Sequence, residues 1–276
     1  MKFQTNIDII SPNFSFKPCE RVLFVGSCFA DNIGKRFKEE KFRTIVNPFG
    51  VMYNPVSILH TVQKLSNQVF DIAVFTLGTN HVYVEKATGE IVDNCQKRPQ
   101  KLFNEQELTI DEAANALREA IHLLRKQNPN VKVIVTVSPI RYAKYGFHGS
   151  QLSKATLLLA ADKLVREEGE AVYYFPAYEI VNDELRDYRF YKADMLHPND
   201  QAVEYIWERL VETCFSSEAK KFLEAWRPIK EALGHRPFNP DSETYRLFMQ
   251  KTKEKIQWLK QLYPEKYPRH WKHGGW

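Results

Sequence analysis

The sequence predicts a three-layer αβα fold around a five-stranded parallel sheet, and three observations carry that prediction. Short apolar, β-rich runs alternate five times with segments of helical spacing between residues 21 and 214. The first run, Val22-Leu23-Phe24-Val25, is apolar without interruption, as a strand covered on both faces is. The connections are long enough for right-handed helical crossovers, which make neighbouring strands parallel.

Taken in order, residues 1–20 read as a lead-in punctuated by Pro12 and Pro18. Gly26 ends the first strand, and Phe29, Ile33 and Phe37 begin a helical spacing at once, so Ser27 and Cys28 occupy a sharp strand-to-helix turn. The free N–H groups of a helix N-terminus there favour a developing negative charge. Phe42 to Val46 is a second strand, Asn47-Pro48-Phe49-Gly50 a loop, and Val56 to Leu65 a short helix. Asp71 to Leu77 is the third strand, ending at Gly78-Thr79-Asn80. Tyr83 to Leu108 lacks periodicity and reads as a surface insertion with a solvated Lys97-Arg98-Pro99. A helix over Thr109 to Lys126 precedes the fourth strand, Val131 to Val137, which runs into Ser138-Pro139-Ile140-Arg141 and a loop rich in Tyr, His and Gly. A helix over Ser153 to Glu168, a fifth strand over Ala171 to Phe175 and a short helix over Ala177 to Leu185 follow. Asp194-Met195-Leu196-His197-Pro198 then opens a helix to about Cys214.

In open parallel sheets, ligands bind beyond the carboxyl ends of the strands where the strand order reverses. A 2-1-3-4-5 order puts that point between the first and third strands, bringing Gly26-Ser27-Cys28 and Gly78-Thr79-Asn80 to one place.

The 276 residues are 43% hydrophobic and 26% charged, an ordinary soluble composition. The apolar runs are too short to span a bilayer, and the start of the chain shows no secretory core; the expectation is a cytoplasmic protein without a membrane partner. Cys19, Cys28, Cys95 and Cys214 follow no zinc or Cys-x-x-Cys spacing and are expected to be reduced. Residues 216–276 hold 13 Lys/Arg and 7 Asp/Glu, a charge of +6, whereas residues 1–215 hold 26 and 27, a charge of −1. This tail, with ten aromatics including Trp226, Trp258, Trp271 and Trp276, reads as two helices over Lys220–Leu233 and Glu243–Leu262. The expected division is a main domain over 1–215 and a basic, aromatic helical extension over 216–276, packed on the main domain or offered to an oligomer partner. A charge of +6 without a recognised nucleic-acid-binding fold does not argue for nucleic acid.

Four places carry candidate chemistry. Cys28 or Ser27 is a nucleophile raised at a helix start. His197 is a general base with Asp194, three residues earlier, to orient it. Asn80 can offer a side-chain amide, and Gly50 a close backbone N–H, to an oxyanion. Each alone has a plainer reading: a buried thiol, a Ser27 helix cap, a capping Asp194 and two turns. Arg141, His148 and Lys154 follow the fourth strand and can meet an anionic substrate, although solvated loop charge accounts for them as well.

Together, in chain order, Gly26-x-Cys28, Gly50, Gly78-x-Asn80 and Asp194-x-x-His197 resemble the four blocks of the SGNH, or GDSL-type, hydrolase superfamily. Gly26-Ser27-Cys28-Phe29-Ala30 spells the name of the GSCFA-domain family within it. Asn47-Pro48-Phe49-Gly50-Val51-Met52-Tyr53-Asn54-Pro55 and Leu152-Ser153-Lys154-Ala155 are similar to that family too, over roughly residues 2–215. The resemblance implies acyl-ester hydrolysis through a covalent acyl-enzyme on a small or carbohydrate ester, with no metal or redox cofactor. It further implies an oxyanion hole of Gly50, Asn80 and the nucleophile's own N–H; Asn47, His81, Arg141, His148 and Lys154 are the candidate substrate contacts. Two alternatives stand beside it: transfer of an acyl group from a thioester co-substrate to a sugar hydroxyl, and a non-catalytic binding module. The ungapped register puts Ser27 where the superfamily has Asp and Cys28 where it has its serine. Cys28 therefore ranks first as nucleophile, with a thiol pKa expected to be lowered by the helix terminus and His197.

Overall fold

The computed structural model describes residues 4–65, 67–93, 95 and 98–264. Its central sheet is built from β1 (Arg21–Gly26), β2 (Arg43–Val46), β3 (Ile72–Leu77), β7 (Lys132–Val137) and β8 (Val172–Tyr174) in the order β2-β1-β3-β7-β8, all parallel. This is the five-stranded order expected. Successive residues of β1 face opposite layers: Val22 and Phe24 pack in one core, Leu23 and Val25 in the other.

Helices α2 (Pro55–Lys64), α3 (Ile110–Gln127) and α4 (Gly146–Glu168) cover one face. The other face carries α1 (Cys28–Glu39), the short α5 (Ala177–Glu179) with the π-helical turn Ile180–Leu185, and α6 (Asp200–Cys214). Side-chain caps set the helix starts. Ser27, Asn54 and Asn199 accept from the first-turn N–H groups of α1, α2 and α6, and Thr109 and Glu112 form a capping box on α3. Phe37 anchors the α1 layer, with its ring 4.9 Å from Phe16 and Phe24 and 5.2 Å from Trp207. Truncating such a residue to Ala costs about 3–5 kcal/mol.

Three stretches differ from the sequence reading. Tyr83 to Leu108 is no irregular insertion: β4 (His81–Glu85), β5 (Ile91–Val92) and β6 (Phe103–Glu107) form an antiparallel sheet in the order β5-β4-β6. Within it, Arg98 pairs with Glu85 and lies over the Phe103 ring rather than being merely solvated; Lys97 lies outside the described residues. Helix α4 begins seven residues before Ser153, because its first turn is built from Gly146 and Gly149 without a side-chain cap and reads locally as loop. The lead-in contributes to the core, since Phe16 is buried and its N–H donates to Cys214 O at 2.8 Å.

The tail forms α7 (Ser217–Gly234) and α8 (Glu243–Leu262). Phe222, Trp226 and Ile229 of α7 are buried in the α1-side core, and Trp226 Nε1 donates to Glu39 O at 3.1 Å. Helix α8 touches that core mainly through Leu259, while Leu247, Phe248, Trp258 and Leu262 remain exposed. Trp271 and Trp276 lie outside the described residues. No helix among the described residues is long and apolar enough to cross a membrane.

Candidate active site

Gly26 closes β1 opposite Thr76 of β3 at φ +146°, and a Cβ there would lie 2.2 Å from Thr76 O; only glycine lets the strands meet here. The chain then turns into α1. Ser27 is fully buried (0% exposed). Its N–H donates to Thr76 O, and its Oγ both lies 3.1 Å from Thr76 Oγ1 and accepts from Phe29 N–H. Ser27 is therefore a helix cap, with no face open to a substrate, and this corrects its candidacy as nucleophile.

Cys28, the first residue of α1, is half-buried and carries a free thiol at this turn. Its Sγ lies 3.9 Å from the Tyr53 hydroxyl. Burial pushes the thiol pKa up, and nearby Asp31 adds to this; Tyr53, the residue's own backbone N–H and the charge of Lys192 pull the other way without prevailing. The expected lowered thiol is thus not found. Desolvation at the foot of α1 exceeds the pull of the helix terminus.

The Asp194–His197 loop lies at the same end of the sheet. Arg141, beyond the end of β7, donates its N–H to Leu196 O and its Nη1 to Met195 O. Lys192, whose N–H donates to His197 O at 2.7 Å, brings the loop within electrostatic reach of Cys28. Asp194 Oδ1 accepts the N–H groups of Leu196 and His197, and Oδ2 lies 2.7 Å from His197 Nδ1. These bonds, the His197 N–H foremost, hold the Asp194 pKa down to about 2. An ionised carboxylate only accepts, which assigns the ring proton to Nδ1 and leaves Nε2 able to take another. No hydrogen bond joins His197 to Cys28 Sγ among the described residues.

Both expected oxyanion donors are corrected. Asn80 Nδ2 donates to Leu108 O at 2.9 Å, and Leu108 N–H returns the bond to Asn80 O. Strand β4 starts at the next residue, so fastening the antiparallel sheet turns this amide inward. Gly50 N–H closes a turn onto Asn47 O at 2.9 Å, with Asn47 and Gly50 both at positive φ.

The expected substrate contacts divide similarly. Asn47 accepts from Gly26 N–H and donates to Asp31 Oδ1, bracing the Cys28 turn. Lys154 is buried, with Nζ donating to Gly78 O at 2.6 Å and Ser138 O at 2.7 Å; burial lowers its pKa to about 7. It ties the ends of β3 and β7 together, with its amine spent on these two carbonyls. His81 is stacked on Tyr145 at 3.6 Å, with Nδ1 3.2 Å from Glu105. Arg141 lies 4.1 Å from the Phe147 ring, beside the dyad loop, and His148 is exposed. Among the described residues no group of three His, Cys, Asp or Glu side chains could hold a metal ion.

Tyr53 and Tyr142 escape the sequence reading, although Tyr53 lies inside the Asn47–Pro55 motif and Tyr142 in the Tyr-rich loop. Tyr53 is aimed by the third block: Gly78 and Thr79 N–H both donate to its carbonyl, at 2.9 and 2.8 Å.

Among solved structures, the chain resembles a carbohydrate esterase family 3 protein from Talaromyces cellulolyticus, at 13% identity over 74% of this chain and 98% of that one, with a TM-score of 0.43. A catalytic mutant of an acetylxylan esterase from Geobacillus stearothermophilus gives 13% identity, 74% and 98% coverage and a TM-score of 0.48. A family two carbohydrate esterase from Clostridium thermocellum gives 11%, 74%, 65% and 0.43. No curated protein matches the chain. The GSCFA family model matches residues 21–71 and 64–210, and the model of the C-terminal domain of GSCFA domain proteins matches residues 226–266. The chain belongs to the GSCFA family.

Proposed function

We propose that this protein is an acyl-ester hydrolase that works through a thioester intermediate on Cys28. The observation that supports this best is the pairing, at one end of the sheet, of a half-buried thiol at a helix start with a histidine whose Nδ1 is held by Asp194. His197 Nε2 takes the thiol proton as Sγ attacks the ester carbonyl. The C–S bond forms and the carbonyl π pair moves onto oxygen. When the pair returns, the bond to the leaving alkoxide breaks and His197 gives the proton to that oxygen. Water, deprotonated by the same imidazole, then cleaves the thioester and restores the thiol. Because the thiol pKa is raised, the histidine has to remove its proton during attack rather than find a thiolate waiting.

Incubation with p-nitrophenyl acetate tests this. The expected result is a burst of p-nitrophenol, a transient acetyl adduct on Cys28 and continued turnover in water. An adduct that persists in water and discharges only to a sugar hydroxyl would make the enzyme a transferase. A protein that never acquires an adduct would be a binding module.

A further inference from the structure

A tetrahedral intermediate on Cys28 needs hydrogen-bond donors, and Asn80 and Gly50 do not supply them. Two phenols stand beside the thiol instead. Tyr53 Oη is 3.9 Å from Cys28 Sγ. The Tyr142 ring meets that of Tyr53 edge-on, with centroids 6.3 Å apart. The Tyr142 hydroxyl is buried and has no hydrogen-bond partner among the described residues. Its place is fixed by what a side chain on Gly78 would strike: Tyr142 Oη at 2.5 Å, Tyr53 O at 2.8 Å and Ser27 Cβ at 3.3 Å. The hydroxyl thus lies in the corner where β3 ends against the Ser27–Cys28 turn.

A buried hydroxyl left unpaired destabilises a protein, so a fold that keeps one beside a reactive thiol has a donor in reserve. Tyr142 is also held firmly. Its N–H donates to Ser150 Oγ at 3.1 Å, and Lys154 Nζ lies 5.1 Å from its ring.

We propose that Tyr53 and Tyr142 are catalytic residues whose hydroxyls donate to the carbonyl oxygen of the acyl group while Cys28 attacks it. This rests on the acyl-enzyme reading above. As the C–S bond forms, the π pair moves to an oxygen that the two O–H groups face; as the leaving group departs, the pair returns. Neither phenol gives up its proton. Burial raises both pKa values, that of Tyr53 to about 12, so both remain donors at neutral pH.

The experiment compares Tyr53→Phe, Tyr142→Phe and Cys28→Ala with the wild type. The pre-steady-state burst with p-nitrophenyl acetate and thermal unfolding are measured side by side. Each Phe variant is expected to slow acylation about 10²–10³-fold with little change in KM, as loss of one oxyanion donor does. Tyr142→Phe is expected to keep or raise the melting temperature, because the resting hydroxyl bonds to none of the described residues. A structural role would instead lower the melting temperature and leave acylation of the folded protein unchanged, which overturns the proposal. Phe variants acylated at the wild-type rate, with acylation abolished in Cys28→Ala, overturn the phenol roles and leave the thioester reading standing. A wild type that is not acylated, or acylation that persists in Cys28→Ala, overturns both.

Discussion

The β1–α1 corner and the Asp194–His197 loop supply the two halves of the candidate site, and they are built by opposite means. The corner is buried and held by backbone. Ser27 N–H is bonded to Thr76 O, Gly26 N–H to Asn47 and Met52 N–H to Gly26 O, with no room for any residue but glycine at 26. The loop is half-exposed, with Asp194 and His197 side chains at 44% and 36%, and Met195 sits at a positive φ. It is held by hydrogen bonds from Arg141 and within Asp194-x-x-His197 itself. The proposed nucleophile is thus placed by the fold and the proposed base by local polar chemistry. Substitutions of the corner's bracing residues, Gly26 and Ser27, should register in stability; substitutions of Cys28 and in the loop should register in rate.

The sharpest division comes from the thiol. Cys28→Ala is expected to remove acylation altogether, a loss of at least about 10³-fold, read by intact mass after incubation with an ester. Residual acylation above that level would move the nucleophile elsewhere. Alkylation of Cys28 by iodoacetamide should rise with pH beyond the ordinary thiol range, because its pKa is raised. Rapid labelling at pH 6 would contradict the burial argument.

The loop comes next. His197→Ala should lower the acylation rate about 10²–10⁴-fold, and Asp194→Asn should do the same by releasing the Nδ1 proton from its acceptor. Melting temperatures should barely change, since both side chains face solvent. The Asp194 pKa is depressed, so its favourable contribution is complete above the ordinary carboxylate range and fades only as the pH falls toward about 2. An activity loss between pH 7 and 5 therefore cannot come from Asp194. A variant that loses melting temperature in step with rate would make the loop part of the core, against the comparison.

These two regions were also unequally legible in the sequence. The alternation of apolar runs with helical spacing makes the parallel sheet legible, because strands buried on both faces leave little ambiguity; its 2-1-3-4-5 order is an added condition that this pattern does not dictate. The Asp194-x-x-His197 contact could be anticipated because it closes over three residues. Asn80 could not be placed from its own neighbourhood. Its partner is Leu108, across a sheet whose β6 strand, Phe103–Glu107, is mostly exposed and polar and has no strand-like pattern. Lys154 read as a loop charge because a buried lysine is rare; what allows it is a pair of strand-end carbonyls far from it in sequence. The thiol pKa departs from expectation for a related reason: the helix terminus is visible in sequence and desolvation is not.

Lys154 gives an intermediate effect that links corner to core. Its folded pKa, about 7, lies below the unfolded value of 10.5. Between these values the unfolded chain binds a proton that the folded protein does not, so stability rises as the pH is raised, by at most about 1.4 kcal/mol per pH unit. Chemical unfolding of the wild type and of Lys154→Met from pH 7 to pH 9 should show this slope in the wild type and its loss in the variant. Equal slopes would mean that the amine stays charged between Gly78 O and Ser138 O.

The smallest effect decides most about the corner. Ser27→Ala removes the acceptor of Phe29 N–H and the partner of Thr76 Oγ1, both in buried surroundings. Losing an N-cap of this kind costs about 1–2 kcal/mol, read as a shift in the denaturant midpoint at unchanged slope. Acylation of the protein that remains folded should stay within a few-fold of wild type, because Ser27 Oγ points at Thr76 rather than at the dyad loop. Cys28→Ala should show the reverse: unchanged stability within about 1 kcal/mol and no acylation. If Ser27→Ala proved to be the inactive variant, the side chain raised by the strand-to-helix turn would be the serine. Its contacts to Thr76 and Phe29 would then have to open before each turnover, and the corner would be the moving half of the site instead of the fixed one.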